Sequence, residues 1–334
     1  MAEVAQPLPR GTGSRAPLLA VLGGLAGLAL LLQVADPSRV PAAQNFVLVF
    51  SSLLIEAVPF ILLGALVSAF IEVFVPGRVF EKLTLLPRPL QLPASAMAGM
   101  AFPVCECGSV PVARRLAAKG LAPGAAITFM LAAPILNPIV LASTFVAYRG
   151  RDIVWPMLLG RAGLGLLAAV AVGWVIGGRT KTEVLRARPE DVVAHAHPHE
   201  GPRHKAFFDH LSGDFVFMAR YLVFGAAVAA ALQTFVPQSV IGSVAGAPVI
   251  SLLAMMGLAF LLSLCSESDA FVAASFVQFG VGAQLAFLVF GPMVDTKLGF
   301  LYTATFSKGF FRTVVVTVMG VTLVGCLWIE VLIG

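Results

Sequence analysis

The run Gly124-Ala-Ala-Ile-Thr-Phe-Met-Leu-Ala-Ala-Pro134-Ile-Leu-Asn137-Pro138-Ile-Val-Leu-Ala-Ser-Thr-Phe-Val-Ala147 carries no charged residue. As a helix it is long enough to cross the roughly 30 Å hydrocarbon layer of a bilayer. Yet two prolines and an asparagine stand in its middle. Proline removes a backbone donor and interrupts regular helix. A break at membrane depth survives only where protein or a water-lined cavity satisfies the freed backbone groups. This stretch therefore reads as a broken membrane helix.

Similar apolar runs recur at about 17–34, 45–75, 92–113, 122–148, 153–177, 213–236, 247–277, 282–306 and 310–333. The whole chain of 334 residues is 59% hydrophobic and only 12% charged. A soluble domain carries roughly 25% charged residues, so this composition leaves too little polar surface for a water-exposed globule. The fold expected is an all-α integral membrane protein of about seven to nine hydrophobic segments. Lipid is its first partner. The net charge of +5 follows from basic residues between apolar runs and gives no reason to invoke nucleic acid. Cys105, Cys107, Cys265 and Cys326 all lie in or beside apolar segments, which is not the pattern of a secreted disulfide framework.

Four regions follow from these boundaries: a polar N-terminus with a first transmembrane helix (1–44), a membrane repeat (45–177), a cytoplasmic linker (178–212) and a second repeat (213–334). Residues 17–34 compete as a signal peptide. The long apolar stretch, without a clear small-x-small cleavage site, favours a retained helix. The linker holds His195, His197, His199, His204 and His210, a tract read mainly as a solvated connection, with loose metal chelation as the alternative.

The two repeats are visible in the residues. Ala101-Phe102 is followed by Cys105 and Cys107, and Ala259-Phe260 by Cys265. At the same offset Gly124 aligns with Gly282, Pro134 with Pro292 and Asn137 with Asp295; Gly64 aligns with Gly225 nearby. Internal duplication is a common plan of secondary transporters. If 92–118 and 247–277 are re-entrant hairpins, Arg114, Arg115, Lys119, the linker, Lys308 and Arg312 all fall on the cytoplasmic side, as the positive-inside bias requires. The halves are then inverted. Nine plain spans form the competing topology.

Three motifs carry candidate chemistry. Pro103-Val-Cys105-Glu106-Cys107-Gly-Ser-Val-Pro111 places two thiols and a carboxylate at membrane depth. In an unwound segment both thiols reach one soft metal or metalloid; on a regular helix they diverge, and the plain alternative is buried small residues. Cys265-Ser266-Glu267-Ser268-Asp269 is the repeat partner, with two carboxylates whose candidate counter-charges are Arg114, Arg115 and Lys297. An ionisable group within a membrane segment is a functional candidate by default. The third is the paired break at Pro134, Asn137 and Pro138 and at Pro292, Asp295 and Lys297. The expected substrate-binding set is Cys105, Glu106, Cys107, Asn137, Cys265, Ser266, Glu267, Ser268, Asp269, Asp295 and Lys297, with Cys105 and Cys107 as metal candidates. Pro103, Pro111, Pro134, Pro138 and Pro292 are the expected helix breaks. Glu56, Glu72, Arg161 and Arg220 lie in or beside spans and are read as pairing or snorkelling residues. No nucleotide-binding loop, zinc-protease signature or nucleophile elbow is present, so neither a cofactor nor an enzymatic activity is expected.

Together, the sequence from Pro103 to Val112, Lys119-Gly120, Pro134 to Pro138, and Cys265 to Phe271 resembles the YraQ-type predicted permeases, and is similar to the ArsP-type organoarsenical efflux permeases, across about residues 45 to 330. The resemblance implies a multi-pass permease of a bacterial inner membrane. It also implies thiol contact by Cys105, Cys107 and Cys265 with a soft solute such as a trivalent organoarsenical or metal ion. Proton coupling through Glu106, Glu267, Asp269 or Asp295 is the energy source expected. The alternatives are a membrane thiol/redox protein using Cys105 and Cys107, or a channel-like subunit of a multi-component transporter. Homo-oligomerisation is left open.

Overall fold

The computed structural model describes residues 41–76, 86–100, 102, 104–186, 203–235 and 248–333. The expected first helix at 17–34, Pro103, the histidines at 195, 197 and 199, and the loop near 238–246 lie outside these residues. The described fold is all-helical, and residues 46–334 form one unit. Among the described residues, five helical stretches are long and apolar enough to cross a membrane: 41–74, 123–147, 154–176, 203–235 and 310–331. The protein is an integral membrane protein.

The first half contains α1 (Pro41–Phe74), α2 (Arg88–Gly99), α3 (Glu106–Ala118), α4 (Pro123–Leu136), α5 (Pro138–Ala147) and α6 (Val154–Ile176). After the short α7 (Lys181–Val184) come α8 (Arg203–Phe235), α9 (Pro248–Leu262), α10 (Asp269–Ser275), α11 (Val281–Phe290), α12 (Thr296–Thr305) and α13 (Phe310–Ile333). Each half runs in the same order: a long helix, two short helices around a break, a broken helix, and a second long helix.

The short pairs are hairpins. Gly99, at the end of α2, lies so close to Ala133 near the end of α4 that an added Cβ would stand 2.9 Å from the Ala133 Cα. The end of α3 leads through a four-residue connection into the start of α4. Hence α2 runs parallel to α4, α3 antiparallel, and the pair returns to the face it left. In the second half Gly291 lies against Ala259 and α10 leads into α11 through Phe276–Gly280, giving α9 and α10 the same form. The first hairpin opens where Gly124 meets Gly173 and Gly177, at the C-terminal end of α6. The second opens where Arg151 bonds Ala274, at the N-terminal end of α6. The 23 residues of α6 rise roughly 34 Å, so the two hairpins open on opposite ends of a membrane-long helix.

The surface is apolar, and the largely apolar interior holds buried charges. Ile55, Leu62, Trp155, Leu159, Trp174, Val324 and Trp328 are exposed, as lipid-facing side chains are, while Arg161 (0% exposed) and Lys297 (2%) rank among the largest buried side chains. Helix approaches are close: a Cβ added to Gly64 of α1 would lie 2.5 Å from the Cα of Gly108 in α3.

Two expectations about helix ends are corrected. Pro111 and Pro134 do not interrupt their helices, because α3 and α4 run through them. Each removes a single backbone bond, to Cys107 and Met130 respectively, and tight burial of both helices holds the rest. The actual break falls at Asn137, and Pro138 opens α5 as its first residue, where no backbone donor is needed. Pro292 sits in the turn before Asp295. The polar linker is also shorter than its composition suggests. Arg203–Ser212 is helical, Ala206 facing inward while Arg203, His204 and Lys205 face out, and so extends α8 beyond its apolar stretch.

Candidate functional site

Both breaks are built by caps. At Asn137 the side-chain oxygen accepts from the Ile139 amide at 2.9 Å. At Asp295, Oδ1 accepts from the Leu298 amide at 2.6 Å. Each starts a ten-residue half-helix of about 15 Å, which places the caps near half the depth of the bilayer. Cys105 caps α3, its Sγ accepting from Gly108 N–H at 3.4 Å. The break between α9 and α10 begins at Ser263, whose φ of 47° is the only positive value outside glycine among the described residues. Such a conformation costs of order 1–3 kcal/mol and gathers at functional sites. Here it lets the Ser263 hydroxyl accept from the Thr296 amide at 3.1 Å, satisfying the N-terminus of α12 from another segment.

These ends bring an ion cluster together. The Lys297 ammonium lies 3.7 Å from Glu106 Oε1 and 3.7 Å from Asp295 Oδ2, joining the first half to the second. Ser266 Oγ donates to Glu106 Oε2 at 3.2 Å. One break away, Arg161 Nη2 contacts Asp269 Oδ2 at 2.8 Å and the Ser266 carbonyl at 3.0 Å, and Nη1 donates to Thr144 Oγ1 at 2.8 Å. Ser268 Oγ donates to Glu56 Oε1 at 3.2 Å. Glu267 is half-buried, and its Oε2 is shielded without a hydrogen-bond partner among the described residues. Glu106 Oε1, Asp269 Oδ1 and Asp295 Oδ2 share that condition.

The structure thus brings together Glu106, Ser266, Ser268, Asp269, Asp295 and Lys297. Cys105, Cys107 and Cys265 are buried free thiols, and Cys265 lies within electrostatic reach of Glu106, Lys297 and Cys107. Asn137 is engaged as a cap. Among the described residues no three or more His, Cys, Asp or Glu side chains are placed to hold a metal ion, and Cys105 uses its sulfur on its own helix. The expected counter-charges are partly corrected. Asp269 pairs with Arg161; Arg114 instead donates to the carbonyls of Arg186 and Thr305, and Arg115 pairs with Asp214 and Glu72. Arg161 was legible only as a charge near the start of an apolar run. Its alignment with Asp269 needs the fold, as do those of Ser263, Thr144 and Glu56.

The arrangement is acidic. Among the described residues, five carboxylates, on Glu56, Glu106, Glu267, Asp269 and Asp295, stand against two fixed cations, Arg161 and Lys297. An uncompensated buried charge costs several kcal/mol, so such a set at this depth favours protons or a cationic occupant.

A lipid-facing shell around discontinuous helices and buried ion pairs defines a membrane permease. The chain belongs to the predicted-permease family ArsP_1, whose match spans residues 42–331. It is 40% identical over 286 residues to "UPF0718 protein YcgR" of Bacillus subtilis (strain 168), covering 84% of this chain and 96% of the relative. It is 35% identical over 287 residues to the "Putative two-component membrane permease complex subunit" of Streptococcus mutans serotype c (strain ATCC 700610 / UA159), covering 85% and 94%. No solved structure matches. The family points to a transporter rather than an enzyme.

Proposed function

We propose that the protein is a proton-coupled carrier of a bacterial inner membrane, built from two inverted halves, that exports a small, soft, thiol-seeking solute such as a trivalent organoarsenical. One observation carries this reading. Glu106 Oε1 and Asp295 Oδ2, buried and without hydrogen-bond partners among the described residues, flank Lys297 where the halves meet, near Cys107 and Cys265. Carboxylates held in this way take up and release protons as their surroundings change, and thiols bind soft cargo. Openings of the two hairpins at opposite ends of α6 support inversion.

Uptake of labelled methylarsenite into everted vesicles, with and without a proton gradient, tests it against Cys265→Ser and Glu106→Gln. Gradient-dependent accumulation lost in both variants supports the proposal. Accumulation by neither wild type nor variants, with folded protein, removes this solute. The name of the Streptococcus mutans relative favours a second reading, in which the chain is one subunit of a two-component permease. Transport by the purified chain alone in proteoliposomes would argue against it.

A further inference from the structure

Two arginines on opposite ends of the protein hold the halves together in mirrored ways. At the C-terminal end of α6, Arg114 of α3 donates to the carbonyls of Thr305 at 3.2 Å and Arg186 at 2.9 Å. The same place is stitched by Arg186 N–H to Thr305, Ser307 N–H to Val184, and the Leu185–Phe306 bridge. Hence the last turn of α12, in the second half, is tied to α3, in the first. At the N-terminal end of α6, Arg151 donates to the Ala274 carbonyl at 2.9 Å and stacks over Tyr148 at 5.7 Å. Tyr148 donates to Gln284 at 2.9 Å, and Gln284 in turn holds the carbonyls of Phe276 and Phe279. Here the end of α5 is tied to α10.

The repeat offset relates these contacts. Tyr148 corresponds to Phe306, and Ala274 to Leu116 beside Arg114. Each contact therefore joins the end of one half's broken helix to the end of the other half's hairpin. The ion cluster and Cys265, 1% exposed, lie between them.

We propose that Arg114 and Arg151 are the two gating residues of the permease, each closing the path from the central site to one face of the membrane. With both closed, the structure is the occluded state, and transport opens them in turn. The alternation rests on the carrier reading, but the gates are tested without any solute.

The probe is a membrane-impermeant sulfonated maleimide, applied to right-side-out and everted vesicles, with Cys265 modification read by peptide mass spectrometry. Arg114→Met is expected to raise the Cys265 labelling rate roughly tenfold from the face at the C-terminal end of α6 only, as release of one state from a minor population would. Arg151→Met is expected to do so from the opposite face only. Arg114→Lys and Tyr148→Phe, milder changes at the two ends, carry the test if the methionine variants do not purify as single species. Increased labelling from the same face in both variants, or from neither, overturns the proposal. Because no solute is present, a failed methylarsenite assay leaves this result standing on its own.

Discussion

Asp295 and Asn137 do the same local work, each capping a ten-residue half-helix through one side-chain oxygen, but only Asp295 brings a charge. The first half builds its break with a neutral amide. The fold therefore does not need the carboxylate, and its second oxygen, 3.7 Å from Lys297, is free for another task.

Asp295→Asn is accordingly expected to keep the cap and fold while losing transport. Stability should fall by less than about 1 kcal/mol, against about 1 kcal/mol or more for Asp295→Ala, which removes the cap. Thermal unfolding in detergent and vesicle uptake, measured on both variants, check this. Equal destabilisation by Asn and Ala would show that the charge itself holds the structure.

Arg161 and Asp269 form a fully buried pair. Removing one partner leaves the other charge unpaired, at a cost of roughly 3–5 kcal/mol. Asp269→Asn should thus lower the unfolding temperature sharply, and the Arg161→Met/Asp269→Leu double variant should recover most of the loss. A double variant as unstable as the sum of the singles would count against the pair as the cause.

Glu106→Gln keeps an oxygen for Ser266 Oγ but removes the charge facing Lys297. Transport is expected to fall, with the reactivity of Cys265 toward a permeant maleimide unchanged. A thiol/redox protein would behave the other way, retaining its activity in this variant and losing it in Cys105→Ser.

Gly108 permits the contact between α1 and α3: a Cβ there would lie 2.8 Å from the Phe60 carbonyl and 3.5 Å from the Gly64 Cα. Gly108→Ala must push two backbones apart, and overpacking of this kind costs typically 1–3 kcal/mol. Chemical or thermal unfolding should register it, whereas Gly163→Ala, at a position with open space, should leave stability within about 0.5 kcal/mol.

Much of this was legible in the sequence because membrane proteins write their constraints plainly. Charge-free runs marked the spans, and glycine, proline and asparagine at one offset marked corresponding positions in two series of helices that follow the same order. The positive-inside bias, by demanding that Lys119 and the linker share a face, pointed to the hairpins. The charges were harder to pair. Arg161 and Asp269 are 108 residues apart, and no local pattern tells a buried arginine from one that snorkels. Prolines misled at Pro111 and Pro134 because a single lost backbone bond does not break a helix packed on all sides. Ser263 left no signal at all, since its conformation is imposed by the chain around it.

The stitching of Arg186 and Leu185 to Thr305 and Phe306 also bears on how much the covalent chain matters. The first half already ends docked on the second before residues 187–202 begin. Those residues supply the covalent link, which raises the local concentration of one half around the other without adding a contact. A polypeptide cut there should consequently reassemble from two co-expressed pieces, the peptide bond between them being a convenience of synthesis more than a strut of the architecture.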